Sequence, residues 1–364
     1  MGKVAGLIFN EIKVEGYESV IEVIDEPTGL HAIIALHNTS LGPTLGGIRA
    51  YPYPSFKEAL QDALRLAKAM TYKAAIAETG TGGGKSVIIS DPKKPKSKEL
   101  LLAFAEAVNT LEGTYICAED VGVRMDDLAV IRQGTHFAVG LPHPKSSGDP
   151  SPFTAYGGFL GLKALARQLW GVDSLKGRTV AIQGLGAVGR RLAEYLFWEG
   201  AQLVVTDLKE DIVQQIVRDY GAIAVKPSEI YRFPCDIFAP CALGGILNHE
   251  TIPLLLCKGI AGLANNQLHT EADGQALMNR GILYSPDYVV NSGGLLNVCM
   301  EIEKVGYNPL IARQRLERIY DRLLRIYDLS EKKGLPTNLI ANELAHYNLQ
   351  KGVGKRKEPV IFHH

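Results

Sequence analysis

Two lysines and one aspartate have neighbours that suit acid–base chemistry. Lys73 lies in the run AKAMTYKAA, Lys85 ends the glycine-rich run GTGGGK, and Asp120 lies in CAEDVG after a strand-like run. A lysine ammonium can bind a substrate carboxylate through charge-assisted hydrogen bonds. A lysine also becomes a base near neutral pH when burial and a second cation disfavour its charged form. We expect Asp120 to assist such a base, and Glu119 beside it to be a structural partner.

A phosphate-binding loop is the alternative for the region around Lys85. The run Gly84-Lys85-Ser86 matches the end of a Walker-type pattern, which requires a first glycine five positions before Gly84. That position is Thr79, and Glu78 stands beside it. Because a carboxylate would repel a bound phosphate, the sequence does not favour this alternative.

A dinucleotide-binding turn is predicted at residues 184–189, GLGAVG, between a strand-like run and a helix. The three glycines permit a tight turn, a close approach of a pyrophosphate and packing of helix on strand, respectively. The alternative is a turn without a ligand. Asp207 lies 23 residues after Gly184 and favours NAD over NADP, because its carboxylate accepts ribose hydroxyls and repels a 2′-phosphate. The cofactor-binding candidates from this pattern are Gly184, Gly186, Ala187, Val188, Gly189 and Asp207.

The elements that would position these groups alternate between strand and helix. Ser55, with Glu58 three residues later, predicts a capped helix whose apolar residues recur at helical spacing to Met70. Strand-like runs are expected at 32–36, 86–90, 114–117, 178–183 and 201–207. Further helices are expected at 154–170, 188–198, 309–328 and 338–347. Parallel strands joined by helices predict an α/β fold whose second half is a doubly wound, Rossmann-type sheet.

Length and composition limit the class of protein. The 364 residues predict two domains, and the run 141–152, LPHPKSSGDPSP, is the strongest candidate for a linker. A polar loop is expected at 91–97. Because 39 basic and 39 acidic residues give a net charge of +0, neither nucleic acid nor an anionic membrane is expected as a partner.

Other sequence features indicate where the protein works. No apolar run approaches the roughly 18 residues of a membrane span, and the first residues do not resemble a signal peptide. The five cysteines form no C-x-x-C pair, which predicts reduced thiols in the cytoplasm. The nine histidines form no ligand-spaced cluster, so no metal is expected.

Long motifs, in order, give the chain a resemblance to a known family. They include SLGPTLGGIR from Ser40, DALRLAKAMTYKAA from Asp62, GGGKSVII from Gly82, SSGDPSPFTAYG from Ser146 and YSPDYVVNSGGLLNV from Tyr284. With these motifs the chain resembles the Glu/Leu/Phe/Val dehydrogenase superfamily from about residue 7 to about 350, and most closely its leucine dehydrogenase branch.

The resemblance implies an enzyme with assigned residue roles. Lys73 would hold the substrate α-carboxylate, Lys85 would be the general base, and Asp120 would assist proton transfer. The other implied contacts are the backbone at Gly46 for the substrate, Thr154 and Asn265 for the nicotinamide end of NAD, and Leu45, Ala118, Leu295 and Val298 for the substrate side chain. It also implies a substrate-binding and oligomerisation domain of residues 1–145 plus about 330–364. The NAD-binding Rossmann domain would comprise residues 146–329.

The expected activity is NAD-dependent, reversible oxidative deamination of leucine, valine and isoleucine to 2-oxo acids and ammonia. A dehydrogenase of phenylalanine or another bulky apolar amino acid is one alternative. A catalytically silent NAD-binding regulatory homologue is another, although Lys73, Lys85 and Asp120 are all present. The expected partners are a small-molecule amino acid and other copies of this chain, in a homo-oligomer between dimer and octamer.

Two departures from the leucine branch bear on specificity. The approach to Lys85 reads Glu78-Thr79-Gly80-Thr81 where that branch is apolar, and Glu78 either faces the site or faces solvent. Leu295 stands where leucine dehydrogenases more often have valine, and in this it resembles the phenylalanine branch. Ala118 resembles the leucine branch.

Overall fold

The computed structural model of the protein describes residues 6–91 and 95–363. The chain divides into two units. Unit 1 comprises Met1–Asp149, Val298–Asn308 and Ala345–His364, and unit 2 comprises Pro150–Asn297 and Pro309–Leu344. Residues 92–94 of the polar loop predicted at 91–97 lie outside the described residues. No helix within the described residues is long and apolar enough to span a membrane.

A mixed sheet forms the centre of unit 1. Its strands are β1 (Ile8–Glu11), β2 (Ser19–Asp25), β3 (Leu30–Asn38), β4 (Thr44–Tyr51), β5 (Gly82–Ile89) and β6 (Tyr115–Glu119). They lie in the order β1-β2-β3-β5-β4-β6, and β4 is parallel to both of its neighbours. The helices of this region are α1 (Phe56–Ala77), α2 (Lys98–Asn109) and α3 (Met125–Gly134). Buried residues of α1 pack on one face of the sheet, and those of α2 and α3 pack on the other.

The capped helix predicted after Ser55 is present as α1. The Ser55 hydroxyl accepts a hydrogen bond from the backbone N–H of Glu58 at 3.2 Å, which satisfies one of the free donors at a helix N-terminus. The helix continues past Met70 to Ala77, and Glu78 ends it with a left-handed φ of 53°.

The strand predicted at 86–90 begins earlier than expected, at Gly82. Residues 82–84 are the first residues of strand β5, so Lys85 lies inside a strand. The glycines are there because neighbours approach too closely for a side chain. A Cβ atom at Gly83 would overlap backbone and side-chain atoms of Thr71 on α1, and one at Gly82 would overlap the carbonyl oxygen of Asn38.

Unit 2 contains a parallel sheet with helices between its strands. The strands are β7 (Thr179–Gln183), β8 (Gln202–Thr206), β9 (Ile223–Ala224), β10 (Ile237–Pro240), β11 (Gly259–Ile260) and β12 (Leu283–Tyr284). The helices are α4 (Ser151–Trp170), α5 (Ala187–Trp198), α6 (Glu210–Tyr220), α7 (Asp273–Asn279), α8 (Asp287–Val290), α9 (Gly293–Val298), α10 (Pro309–Lys333) and α11 (Thr337–Lys351). Residues of α11 from Ala345 onward belong to unit 1, as does Val298, the last residue of α9. The strand order β12-β11-β10-β7-β8-β9 is that of the doubly wound dinucleotide-binding fold, whose order reverses beside the first strand. The predicted α/β fold with a Rossmann-type sheet is confirmed.

The two units do not divide the chain at the predicted domain boundaries. Residues 298–308 join unit 1, where the buried carboxylate of Glu301 accepts hydrogen bonds from the backbone N–H groups of Gly140 and Ser147, both at 2.8 Å. All of α10 joins unit 2, because it packs along α4. The functional assignment of the domains to 1–145 plus about 330–364 and to 146–329 stays a prediction.

Candidate active site

The two central groups of the candidate site meet across a strand. Lys85 lies on β5 and Asp120 follows β6, and β4 lies between these strands in the sheet. The Nζ atom of Lys85 is 2.7 Å from Oδ2 of Asp120. A Cβ atom at Gly47 of β4 would lie 2.8 Å from Cβ of Asp120 and 3.2 Å from Nζ of Lys85. Because Gly47 has no side chain, the amine and the carboxylate can meet over it.

Burial and neighbouring charges together set the ionisation of this pair. The side chain of Lys85 is 7% exposed and that of Asp120 is 21% exposed. Burial lowers the pKa of the Lys85 amine below its usual value, although the negative charge of Asp120 opposes this shift. Burial alone would raise the pKa of Asp120, but the positive charges of Lys85 and Arg49 outweigh it and lower that pKa. The site therefore combines an amine that loses its proton more readily than an ordinary lysine with a carboxylate that stays ionised.

Sequence reasoning missed Arg49, which binds the same carboxylate. Its Nε atom donates to Oδ2 of Asp120 at 3.0 Å, and its Nη1 atom donates to Oδ2 of Asp62 on α1 at 3.1 Å. The signal that would have found it is the run LGGIRAY read as a strand. Side chains two apart in a strand point to the same face, so Arg49 lies on the face where Gly47 leaves room for Lys85.

The other substrate-binding candidates near this pair, Leu45, Gly46 and Ala118, lie on β4 and β6. A Cβ atom at Gly46 would overlap the carbonyl oxygen of Gly84, and the carbonyl of Gly46 accepts a hydrogen bond from the hydroxyl of Tyr115 at 3.0 Å. Leu45 is buried, and Ala118 is half-buried on β6 in register with Gly47 of β4. Glycine at position 46 is therefore required by the packing of β4 against β5.

Lys73 is half-buried near the end of α1, the helix that packs on β5. Beyond the helix, Thr79 and Thr81 are buried and their hydroxyl groups are 2.7 Å apart, within hydrogen-bonding distance. These two hydroxyls are thus paired with each other. Glu78, whose position the sequence left open, is half-buried as the residue that ends α1.

The glycine turn of unit 2 has the geometry that a dinucleotide requires. Gly184 has a φ of +98°, and a Cβ atom at Gly189 would overlap the carbonyl oxygen of Gly184. A Cβ atom at Gly186, in contrast, would meet no atom within 4 Å. Gly186 precedes α5, and no side chain caps this helix N-terminus. The first backbone N–H groups of α5 therefore have no side-chain cap, as at helix N-termini that bind phosphates in other proteins.

Asp207 lies at the rim of this turn. Its Oδ2 atom accepts a hydrogen bond from the N–H of Leu185 at 2.6 Å, and Oδ1 accepts one from the N–H of Lys209 at 2.9 Å. The backbone of the turn thus holds the carboxylate beside the glycines. This fits a group that binds a ribose.

The remaining candidates lie on α4, α9 and the loop after β11. Thr154 on α4 donates its hydroxyl to the carbonyl of Pro150 at 3.0 Å, and the exposed Asn265 accepts a hydrogen bond from Asn291 at 2.7 Å. Leu295 and Val298 are buried on α9, with Leu295 in unit 2 and Val298 in unit 1. Among the described residues, no cluster of three or more His, Cys, Asp or Glu side chains forms a metal site.

Comparison with known proteins decides the family. The model of the Glu/Leu/Phe/Val dehydrogenase dimerisation domain matches residues 18–136, and that of Glutamate/Leucine/Phenylalanine/Valine dehydrogenase matches residues 205–323. The chain is 48% identical to leucine dehydrogenase of Bacillus cereus over 93% of this chain and 92% of that protein. It is 45% identical to phenylalanine dehydrogenase of Bacillus thermotolerans over 94% of this chain and 91% of that protein.

The chain belongs to the Glu/Leu/Phe/Val dehydrogenase family. It is an amino-acid dehydrogenase, as the resemblance of its motifs implied. The crystal structure of L-tryptophan dehydrogenase from Nostoc punctiforme is similar to this structure with a TM-score of 0.81 and 43% identity, over 93% of this chain and 97% of that chain. Leucine, phenylalanine and tryptophan dehydrogenases are thus relatives of comparable identity, so the family alone leaves the substrate open.

The matches to the two family models cover different parts of the candidate site. The first includes Lys73, Lys85 and Asp120, and the second includes Asp207. The glycine turn at 184–189 lies between the two matched ranges. In this dehydrogenase, the case for a dinucleotide at that turn therefore rests on its own geometry.

We predict that alanine lowers stability at one glycine of this turn and NADH affinity at another. Gly189→Ala should lower the midpoint of urea-induced unfolding, because its methyl group overlaps the Gly184 carbonyl. Gly186→Ala should leave that midpoint close to wild type but weaken NADH binding about tenfold or more, because its methyl group occupies the open space in front of the helix N-terminus. Fluorescence titration with NADH measures the affinity. Equal loss of stability in both variants, or wild-type NADH affinity in Gly186→Ala, would contradict this interpretation.

Proposed function

We propose that this dehydrogenase carries out the NAD-dependent, reversible oxidative deamination of branched-chain L-amino acids, with leucine as the preferred substrate. The products are the corresponding 2-oxo acids and ammonia. The observation that carries the proposal is the buried contact between Lys85 and Asp120, at 2.7 Å, in a chain that belongs to this family.

Lys85 is the proposed general base. Burial lowers the pKa of its amine, which makes the neutral amine more accessible than in an ordinary lysine. The neutral amine accepts a proton from the substrate amino group or from the water that attacks the oxidised substrate. Asp120 keeps its negative charge beside Lys85 and stabilises the positive charge that develops on the substrate nitrogen. Lys73, on the helix that packs against β5, holds the substrate α-carboxylate by charge-assisted hydrogen bonds.

NAD is the proposed cofactor, and bound NAD accepts the hydride from the substrate Cα. Gly184, Gly186 and Gly189 give the turn its shape, and the N–H groups of Ala187 and Val188 bind the pyrophosphate. Asp207 binds the ribose hydroxyls and disfavours the 2′-phosphate of NADP. Thr154 and Asn265 orient the nicotinamide end. The open space at Gly186 and the position of Asp207 at the turn support this assignment.

The substrate side chain is proposed to contact apolar groups: Leu45, Ala118, Leu295 and Val298. Their lack of charge disfavours glutamate, since no cation among them would pair with a second carboxylate. The methyl group of Ala118 takes space that an aromatic ring would need, which favours leucine, valine and isoleucine. A dehydrogenase of phenylalanine or another bulky apolar amino acid remains the second candidate, because relatives with such names are 45% identical to this chain.

Assembly and location complete the proposal. We propose a homo-oligomer, between dimer and octamer, assembled through unit 1, since the family model that matches residues 18–136 is named a dimerisation domain. A cytoplasmic location is supported by the five cysteines, all of which are thiols rather than disulfides. Apart from its own copies, the expected partners are small molecules.

A substrate panel tests the proposed function. NADH formation and ammonia release are measured with the L-isomers of leucine, valine, isoleucine, phenylalanine, tryptophan and glutamate, with NAD and with NADP. We expect kcat/KM to be highest with leucine and NAD. Preference for phenylalanine or tryptophan over every branched-chain substrate would replace the substrate assignment, and preference for NADP would overturn the role of Asp207. Absence of turnover with every substrate would favour the silent regulatory homologue.

Substitution of Lys85 tests its role as base. Lys85→Ala should lower kcat by about 10²-fold or more, within the range expected for loss of acid–base catalysis, while NADH binding stays unchanged. Lys96→Ala is the matched control, because Lys96 also pairs with an aspartate of unit 1, Asp127 at 3.3 Å. That variant should keep wild-type kcat. A Lys85→Ala enzyme with more than about a tenth of the wild-type kcat would refute the general-base role.

A further inference from the structure

We propose that Arg49 is a positioning residue for the dehydrogenase reaction, one that holds the Asp120 carboxylate against the Lys85 amine and anchors it to α1. This inference rests on the proposed function, in which Lys85 is the general base and Asp120 its partner.

The contacts of Asp120 show why its orientation needs a second cation. One oxygen, Oδ2, receives both Nζ of Lys85 at 2.7 Å and Nε of Arg49 at 3.0 Å. Lys85 is a point charge on a flexible stem, whereas a guanidinium donates from fixed directions in one plane. Arg49 therefore sets the direction from which the carboxylate faces Lys85. When Lys85 loses its proton, Arg49 keeps the carboxylate in place.

Asp62 holds Arg49 in this orientation. It accepts a hydrogen bond from Nη1 of Arg49 at 3.1 Å and from the hydroxyl of Tyr53 at 2.6 Å, and Arg65 binds its other oxygen at 2.8 Å. Burial tends to raise the pKa of Asp62, but these partners lower it. Because Asp62 stays ionised, the guanidinium of Arg49 bridges two carboxylates: Asp62 on α1 and Asp120 after β6.

The charge of Arg49 also acts on Lys85. After burial and the opposing effect of Asp120, the positive charge of Arg49 lowers the pKa of the Lys85 amine, and the more distant Asp62 raises it. Glu119 is the other acid beside Asp120, and its own pKa is raised by burial and by the charges of Asp149 and Asp120. Removal of the Arg49 charge should therefore shift the pKa of Lys85 upward, and with it the pH above which the amine is a base.

Three variants separate charge from position. Arg49→Gln removes both, so kcat should fall about tenfold or more and the rising limb of kcat/KM against pH should move to higher pH. Arg49→Lys keeps the charge but cannot bridge two carboxylates in fixed directions. It should lower kcat similarly while the rising limb stays nearer its wild-type position. Arg65→Gln is the matched control, because Arg65 binds Asp62 without contacting Asp120, and it should match wild type in both measurements.

The readouts distinguish failure of this inference from failure of the proposed function. If wild type is an active dehydrogenase and Arg49→Gln behaves like Arg65→Gln, only the role of Arg49 is refuted. If wild type has no turnover, the proposed function fails, and the pKa of Lys85 is then measured by NMR of ¹³C-labelled lysine. A higher pKa in Arg49→Gln than in wild type and Arg65→Gln would support the contact, and an unchanged pKa would overturn it. If Arg49→Gln does not fold, Arg49→Lys carries the test through kcat: a fall of about tenfold or more with the rising limb near its wild-type position supports the role of Arg49, and wild-type kcat overturns it.

A separate observation, in unit 2, carries a second inference: we propose that Cys235 and Cys257 form an intramolecular disulfide when the protein meets a peroxide. The two cysteines precede β10 and β11, which pair in parallel with Ile237 opposite Gly259. The same offset of 22 residues places Cys235 opposite Cys257. Neighbouring strands lie about 4.8 Å apart, within the Cα separations of roughly 4.4–6.8 Å that disulfides span.

The side chains of the two cysteines also point the same way. Both thiols are free, and both side chains pack in one hydrophobic cluster of unit 2. Cys257 is buried, whereas Cys235 is partly exposed. A hydrogen bond from Cys235 lowers the pKa of the Cys257 thiol, which favours the thiolate that attacks a peroxide.

The oxidation of the two thiols to a disulfide takes place in two steps. The Cys257 thiolate attacks a peroxide oxygen, the O–O bond breaks, and a sulfenic acid and one water form once a proton is taken up. The sulfur of Cys235 then attacks the sulfenic sulfur, an S–S bond forms, and the oxygen leaves as a second water. Hydrogen peroxide is thereby reduced to two water molecules, and two thiols are oxidised to one disulfide.

Mass spectrometry of the reduced enzyme treated with hydrogen peroxide tests this site. We expect an intact mass lower by two hydrogens, loss of alkylation at both cysteines, and full reversal by dithiothreitol. Cys235→Ser and Cys257→Ser should each abolish the cross-link, and Cys241→Ser, which changes another cysteine of unit 2, should retain it. Alkylation of both thiols after treatment, oxidation of single cysteines to sulfinic acid, or cross-linked dimers alone would overturn the proposal.

Discussion

The buried contact between Lys85 and Asp120 is the interaction on which unit 1 depends. Two charged groups taken out of water lose several kcal/mol of hydration each, and a buried pair is stable only with good geometry and further hydrogen bonds. Lys85 lies on β5 and Asp120 directly follows β6, and β4 separates these two strands. That strand must therefore leave space between them, which Gly47 does, and supply a further charge, which Arg49 does. One strand thus satisfies both conditions.

The same demand for close approach explains the glycines of β5. Lys85 reaches Asp120 only if β5 lies tightly between β3 and β4 with α1 pressed on it, and at each of its first three residues a Cβ atom would collide with a neighbour. At Gly83 the neighbour is Thr71 on α1, two residues before Lys73. The helix position that carries Lys73 is thus tied to the strand that carries Lys85. Close packing, rather than turn flexibility, gives these glycines their role.

The sequence predicts the local parts of this arrangement and not the distant contacts. The Ser55 cap, the helices and the turn at 184–189 follow from residues within a few positions of one another, so their patterns are visible. Arg49 and Asp120 are 71 residues apart, and their contact depends on the order of β5, β4 and β6, which no local pattern encodes. Glu301 and Gly140 are separated by 161 residues. For the same reason the sequence did not indicate that residues 298–308 join unit 1.

The two halves of the candidate machinery differ in how substitutions affect them. In unit 2 the glycine turn proposed to bind the dinucleotide relies on backbone shape, which tolerates few residue types at Gly184 and Gly189. In unit 1 the charged groups are held by a network around Asp120, while Leu45 and Ala118 beside it are apolar groups outside that network. Changes at such apolar positions can alter the fit of a side chain by about 1–3 kcal/mol per methylene without disturbing either ion pair. Relatives named for leucine, tryptophan and phenylalanine are all 45–48% identical to this chain. Overall identity therefore carries little information about the substrate, and the proposed contacts of Leu45 and Ala118 assign that discrimination to apolar side chains.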